Sequence, residues 1–147
     1  ATHTRLASPA PLVPRTARVS VPFQHSVTRV DRCRVAAFHA LPPGASPGVP
    51  SAPAAPDGCP PLVLVHGLGV SGRYFAPLAG ELAARGHEAH VHVLPGHGRS
   101  ATPARPLDVA GLADALLAWM DARGLRRATL VGHSLGAQVV VAATLRA

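Results

Sequence analysis

The sequence predicts an α/β fold in which helices flank a mostly parallel sheet. After Pro61, strand-like and helix-like segments alternate three times, which is typical of parallel strands joined by crossover helices. The strand segment at 62–65 is a short continuous apolar run, as expected for a strand buried on both faces, and the segment at 128–131 is predicted to be a further buried strand. A chain of 147 residues that is 48% hydrophobic and 14% charged is long and apolar enough to bury one such core.

The first 61 residues contain less regular structure. We expect residues 1–25 to form a flexible leader, because they are rich in arginine and proline and show no apolar periodicity. Imperfect alternation over 26–41 predicts two short strands with a turn at 31–32. Residues 42–61 contain eight prolines and predict a surface loop, since proline removes backbone donors. The folded domain is therefore expected to cover 26–147.

Regular elements follow in order after this loop. The strand at 62–65 leads through a glycine-rich turn into a helix at about 74–85, where apolar residues recur at helical spacing and Gly86 ends the helix. A second strand is predicted over 88–94, and a loop over 95–106.

The helix after Asp108 has the clearest signals in the chain. Asp108 is a suitable N-cap, one apolar stripe runs from Val109 to Met120, and Gly124 ends the helix. The buried strand at 128–131 and an apolar helix at 135–146 complete the predicted domain.

Charge and hydropathy limit the classes of partner. The net charge is +7, and six arginines lie in the first 34 residues, an excess that suits nucleic acid or an anionic surface. Aromatic residues do not alternate with these arginines, so we expect no nucleic-acid partner. The two cysteines are typical of thiols in a reducing cytosol. Without a signal peptide or an apolar run of ~18 residues, we expect no membrane partner and a cytoplasmic location.

The strongest chemical signal is GHSLG at 132–136, a G-x-S-x-G pattern. A strand leads directly into this pattern and a helix follows it, which is the context of a nucleophile elbow. The sharp turn would expose the Ser134 hydroxyl at the helix N-terminus, where backbone amides favour a developing negative charge. The alternative is a structural turn whose serine only caps the helix. Ser134 is our candidate nucleophile.

A second signal, HGLG at 66–69, follows the first buried strand. Its glycines let the backbone approach a reacting carbonyl, and an amide of this loop can complete an oxyanion hole. The candidate donors are the backbone N–H groups of Leu68 and Leu135. The alternative is a simple tight turn.

A third motif is PGHGRS at 95–100. The order and spacing of the three motifs resemble those of the α/β-hydrolase superfamily, particularly its esterase, lipase and haloperoxidase-like members. The resemblance implies a three-layer α/β-hydrolase fold whose N-terminal half, strands one to five and helices A to C, is present here, truncated after helix C. It also implies that Ser134 is the nucleophile and that Leu68 and Leu135 form the oxyanion hole.

The rest of a catalytic triad is not apparent. In this fold the acid and the histidine follow the serine, but the thirteen residues after Ser134 include neither type. The side chain of His133 should diverge from the serine, and His66 belongs to the glycine-rich turn. His90 and His92 share one face of a strand, yet two imidazoles need a third ligand to hold a metal, so we expect neither a metal nor a cofactor.

These observations support two functions. The first is a serine hydrolase that acts on small carboxylic esters or related acyl substrates through an acyl-enzyme at Ser134. The alternative is a catalytically incomplete fragment that lacks the acid and histidine of the triad and has no activity alone. An open sheet edge would favour self-association or pairing with a complementing C-terminal half. A basic-tailed interaction protein is a third possibility, based only on the arginine-rich leader.

Overall fold

A computed structural model describes residues 21–45 and 58–147. Most of the predicted leader and the central part of the predicted proline-rich loop lie outside the described residues. The strands are β1 (Phe23–Val30), β2 (Cys33–Ala40), β3 (Leu62–Val65), β4 (Ala89–His92) and β5 (Thr129–Gly132). The helices are α1 (Ala76–Ala84), preceded by a short 3-10 helix at Gly72–Phe75, then α2 (Val109–Ala122) and α3 (Leu135–Thr144).

The five strands form one mixed sheet in the order β1-β2-β4-β3-β5. β1 and β2 are a hairpin, and β2 pairs antiparallel with β4. β4, β3 and β5 run parallel, and the α1 and α2 connections join them along the chain. Because parallel strands end at the same sheet edge, the segments that follow β3 and β5 lie side by side.

Helices cover both faces of the sheet and give it three layers. α2 and α3 pack on one face, where fully buried Trp119 and Leu116 contribute to the core. α1 packs on the other face through Ala79 and Ala83, together with Phe75. The three-layer α/β class predicted from the sequence is confirmed.

Element boundaries mostly follow the local signals. Asp108 Oδ1 accepts a hydrogen bond from the Gly111 amide at 2.8 Å, and Gly124 follows α2 with φ 69°, so both predicted ends of this helix are confirmed. β1 begins at Phe23, inside the segment predicted as leader.

The prediction that the strand at 128–131 is buried was wrong. All four residues of β5 are half-buried, because β5 is the edge strand of the described sheet and has only β3 beside it. Within the described ranges, no helix is both long and apolar enough to cross a membrane.

Candidate active site

Ser134 occupies a strained turn between β5 and α3. Its backbone has φ 54° and ψ −120°, a region that costs a residue with a side chain about 1–3 kcal/mol. Neighbouring hydrogen bonds hold this conformation: the His133 amide donates to Val65 O at 3.0 Å, and the Ala137 amide donates to Ser134 O at 2.9 Å. The Ser134 side chain is exposed. The local geometry is therefore that of a strand-to-helix elbow that presents a hydroxyl to solvent.

The glycines on either side of this elbow are required by close backbone contacts. A Cβ atom on Gly136 would lie 2.1 Å from Val65 O, and a Cβ atom on Gly132 would lie 2.4 Å from Gly136 O. Both distances are far below van der Waals contact, and the atoms met are backbone atoms that cannot rotate away. The first turn of α3 therefore packs directly against the end of β3.

The HGLG loop lies against the elbow. A Cβ atom on Gly67 would lie 3.0 Å from Ser134 Cβ, and β3 pairs with β5 so that Val65 is opposite Gly132. The next residue, Leu68, has a side chain that is 73% exposed. Among the described residues, neither the Leu68 amide nor the Leu135 amide donates a hydrogen bond to another protein group. The two predicted donors thus lie directly after Gly67 and Ser134 in the chain, and their N–H groups have no protein partner among the described residues.

His66 anchors the HGLG loop and is occupied on both ring nitrogens. Nδ1 donates to Gly67 O at 2.9 Å, and Nε2 accepts from the Leu94 amide at 3.1 Å. Burial lowers the pKa of His66 below its usual value, which keeps the ring neutral as these two bonds require. His66 is therefore a structural residue that ties the loop after β3 to the loop after β4.

In the described part of the chain, no side chain is placed to act as a general base through a hydrogen bond to Ser134 Oγ. The His133 ring packs near Tyr74, with centroids 5.1 Å apart. Across residues 21–45 and 58–147, Ser134 Oγ forms no hydrogen bond with an imidazole or a carboxylate. A neutral hydroxyl without such a partner is a weak nucleophile.

His90 and His92 share one buried face of β4, as their alternation in the sequence predicts. Both face Trp119, with centroid distances of 6.4 Å and 5.1 Å, and burial lowers the pKa of His92 to about 3. In the residues that the structure describes, no group of three or more potential ligands could hold a metal ion.

Sequence reasoning missed a polar chain that crosses three strands. Ser26 Oγ is hydrogen-bonded to His39 Nε2, and His39 Nδ1 is 2.7 Å from His90 Nδ1. His90 Nε2 lies 2.8 Å from Glu88 Oε1. Burial, reinforced by His90, lowers the pKa of His39 to about 3. The signal that could have found this chain is the opposition of His39 and His90, which depends on knowing that β2 pairs with β4.

Comparison with known proteins identifies similar domains. A model of the alpha/beta hydrolase family matches residues 62–147. A protein of Caulobacter sp. (strain K31) with the provisional name carbamate hydrolase RutD is 39% identical over 85 residues, which cover 57% of this chain and 31% of that protein. The (lyso)-N-acylphosphatidylethanolamine lipase of Homo sapiens is 38% identical over 80 residues, covering 52% of this chain and 23% of the lipase.

The similarity to solved structures covers a larger share of the chain than the family model does. The structure of E-2-(acetamidomethylene)succinate hydrolase superposes with a TM-score of 0.69 at 22% identity, covering 85% of this chain and 40% of that one. The chain spans less than a third of the length of the two curated relatives.

Proposed function

The chain belongs to the alpha/beta hydrolase family, and from that premise we propose that it carries the nucleophile of a serine hydrolase. The proposed substrates are carboxylic esters or related acyl compounds, and the relatives named as a carbamate hydrolase and a lipase are consistent with hydrolysis. The observation that carries the proposal is the exposed Ser134 side chain at φ 54°, between β5 and α3 and against Gly67.

The proposed reaction has two steps. In the first, Ser134 Oγ bonds to the substrate carbonyl carbon, a base takes the hydroxyl proton, and the alcohol leaves with a proton as the acyl-enzyme forms. In the second, water attacks the same carbon, the acid is released and Ser134 regains its proton. Leu68 and Leu135 would donate their N–H groups to the oxyanion, and each such donor typically contributes about 3 kcal/mol.

The alternative function is a chain that is inactive alone. The absence of a hydrogen bond between Ser134 Oγ and any described imidazole or carboxylate favours it. A serine without a base loses most of its reactivity, although the oxyanion hole retains part of the rate enhancement. In this alternative the 147-residue chain does not itself supply the acid and the histidine of the triad.

Covalent labelling distinguishes the two. The 147-residue chain, a Ser134→Ala variant and a Ser71→Ala control are treated with a fluorophosphonate probe, with and without imidazole in solution. Ser71 is the matched control because it is an exposed serine whose side chain accepts a hydrogen bond from the nearby Arg73 amide.

Labelling of the wild type and Ser71→Ala, but not of Ser134→Ala, supports an active nucleophile. If this pattern arises only with imidazole, it supports both the nucleophile and the missing base. Equal labelling of all three proteins under both conditions excludes Ser134 as the reactive group.

We also propose that the open edge of β5 pairs with another strand, from a complementing C-terminal half or a second copy of the chain. Unpaired strand edges favour such additions, and β5 has β3 on one side only in the described sheet. Sedimentation velocity tests self-association, and a monodisperse monomer that unfolds cooperatively would count against it.

The cytoplasm is the proposed location. The chain has two cysteines, Cys33 and Cys59, and a low cysteine content suits a reducing compartment. Cell fractionation tests this proposal, and recovery of the protein outside the cytoplasm would contradict it.

A further inference from the structure

A cleft with a basic lining lies at the end of the sheet farthest from β5. It has a volume of about 450 Å³, and the side chains of Arg34, Arg99 and His25 contribute to its wall. This volume is in the range of small-molecule sites. The strand β2 that carries Arg34 is separated from β5 by β4 and β3, so the cleft is distinct from the Ser134 elbow.

The hairpin places two arginines directly opposite each other. Arg29 on β1 and Arg34 on β2 are partners in the antiparallel register, and opposed residues have Cβ atoms about 5 Å apart on one face. Like charges in this position destabilise a hairpin. In the described ranges, no ion pair neutralises Arg29, Arg34 or Arg99. The cleft lining therefore holds two arginines without an ion pair, Arg34 and Arg99, and Arg29 lies opposite one of them in the hairpin.

The loop that carries Arg99 is fixed against β2. Its neighbour Ser100 is buried, and Ser100 Oγ accepts from the Ala36 amide at 2.9 Å and donates to Val93 O at 2.7 Å. The Ala101 amide donates to Arg34 O at 2.8 Å. These bonds fix the backbone of the two segments that carry Arg34 and Arg99 next to each other before any ligand arrives, which lowers the entropic cost of binding.

We propose that this cleft binds a phosphoryl group. Guanidinium groups present planar, paired N–H donors that match phosphate oxygens and stay charged at all physiological pH values. Arg34 and Arg99 supply the two forks, and a bound dianion offsets the repulsion between Arg34 and Arg29. No carboxylate lines the cleft to compete for these donors. The ligand is a small phosphorylated molecule or the phosphate of a lipid headgroup.

Titration calorimetry with inorganic pyrophosphate tests the proposal on the 147-residue chain at about 0.1 M salt, where surface charges beyond about 10 Å are screened. The variants are Arg34→Gln and Arg99→Gln. Arg126→Gln is the matched control, because Arg126 is exposed, lies before β5 and has no side-chain partner among the described residues. Vesicles of phosphatidylcholine with and without phosphatidic acid form a second arm.

We expect saturable one-site binding with a Kd of about 1 mM or tighter, weakened about tenfold or more in each cleft variant and unchanged in Arg126→Gln. Binding to phosphatidic acid vesicles alone assigns the phosphate to a lipid, and binding to pyrophosphate alone assigns it to a soluble molecule. The proposal is overturned if the chain binds neither pyrophosphate nor phosphatidic acid vesicles. It is also overturned if all three variants weaken binding equally, because binding then depends only on the net charge of the chain.

Thermal unfolding gives an independent readout. Without ligand, Arg34→Gln should raise the unfolding midpoint because it removes the like-charge pair with Arg29, and pyrophosphate should then stabilise the wild type more than this variant. A fall in the midpoint of Arg34→Gln without ligand would show that the opposed arginines are not repelling each other and would contradict the premise of the site.

Discussion

Replacement of His92 by leucine should make the chain less sensitive to acid. His92 is fully buried on β4 against Trp119, and burial lowers its pKa from 6.5 to about 3, with nearby His66 adding to the effect. The unfolded chain therefore takes up a proton at His92 at a higher pH than the folded chain does. The contribution of neutral His92 to stability is complete above about pH 6.5 and is lost as the pH falls toward 3.

The expected loss in the free energy of unfolding follows from the difference between the pKa of His92 in the folded and unfolded chain. Full protonation of a group whose pKa falls from 6.5 to about 3 on folding corresponds to about 5 kcal/mol. At about pH 5 the same linkage gives about 2 kcal/mol from His92. His39, whose pKa burial also lowers to about 3, adds a similar amount. Between about pH 7.5 and pH 5 the wild type should lose about 4 kcal/mol from these two residues, and His92→Leu about 2 kcal/mol.

Urea unfolding at the two pH values measures this difference. The fluorescence of Trp119 reports it, since this residue is the one tryptophan of the chain and is fully buried. At neutral pH the variant should match or exceed the wild-type stability, because both ring nitrogens of His92 lack a hydrogen-bond partner among the described residues and a buried unpaired polar group costs about 1–3 kcal/mol.

A variant at an exposed histidine provides the control. His133→Gln removes one exposed imidazole that lies outside β4 and does not contribute to the lowered pKa of His39 or His92, so this variant should keep the wild-type loss between the two pH values. If His92→Leu loses as much stability in acid as the wild type does, neutral His92 is not a source of the pH dependence and the reasoning fails.

Substitutions at Gly136, Ser100 and Asp108, with matched controls, test the contacts that hold the elbow, the cleft loop and helix α2 in place. Gly136→Ala should destabilise the fold by more than about 3 kcal/mol, because its Cβ would lie 2.1 Å from Val65 O. The control Gly80→Ala has nothing within 4 Å of the added atom and should be neutral or stabilise by up to about 1 kcal/mol. Equal midpoints of urea unfolding for the two variants would refute the contact at Gly136. Ser100→Ala should cost about 2 kcal/mol in urea unfolding because a buried amide and a buried carbonyl lose their partner, and an unchanged midpoint would contradict a fixed loop. Asp108→Ala should cost about 1 kcal/mol through loss of the N-cap, while Asp108→Ser should retain most of the stability; equal losses in the two variants would show that the cap does not matter.

Local chemistry made much of the fold predictable from the sequence. The N-cap at Asp108, the left-handed glycine after α2 and the apolar run of β3 act within a few residues, so their outcome depends little on the rest of the chain. The elbow was recognisable for the same reason, because strand, glycines and helix are contiguous around Ser134.

The features that the sequence did not reveal depend on residues brought together from distant positions. The half-burial of β5 follows from its place at the sheet edge, which an apolar run does not encode. Likewise, Arg34 and Arg99 are far apart in the chain, and their segments are brought together by long-range hydrogen bonds such as those from the Ala101 amide to Arg34 O and from the Ala36 amide to Ser100 Oγ. Pairing partners and registers of this kind are long-range information.

The polar chain from Ser26 through His39 and His90 to Glu88 has a consequence for how the hairpin folds. Successive side chains of a strand alternate between faces, so a slip of β2 by one residue would turn His39 toward the apolar layer under α1 and Phe38 toward the histidines. Misaligned hairpins would thus bury unpaired imidazoles, at a cost of several kcal/mol in the aggregate. The network therefore favours one alignment of the hairpin with β4, because slipped alignments have a higher free energy.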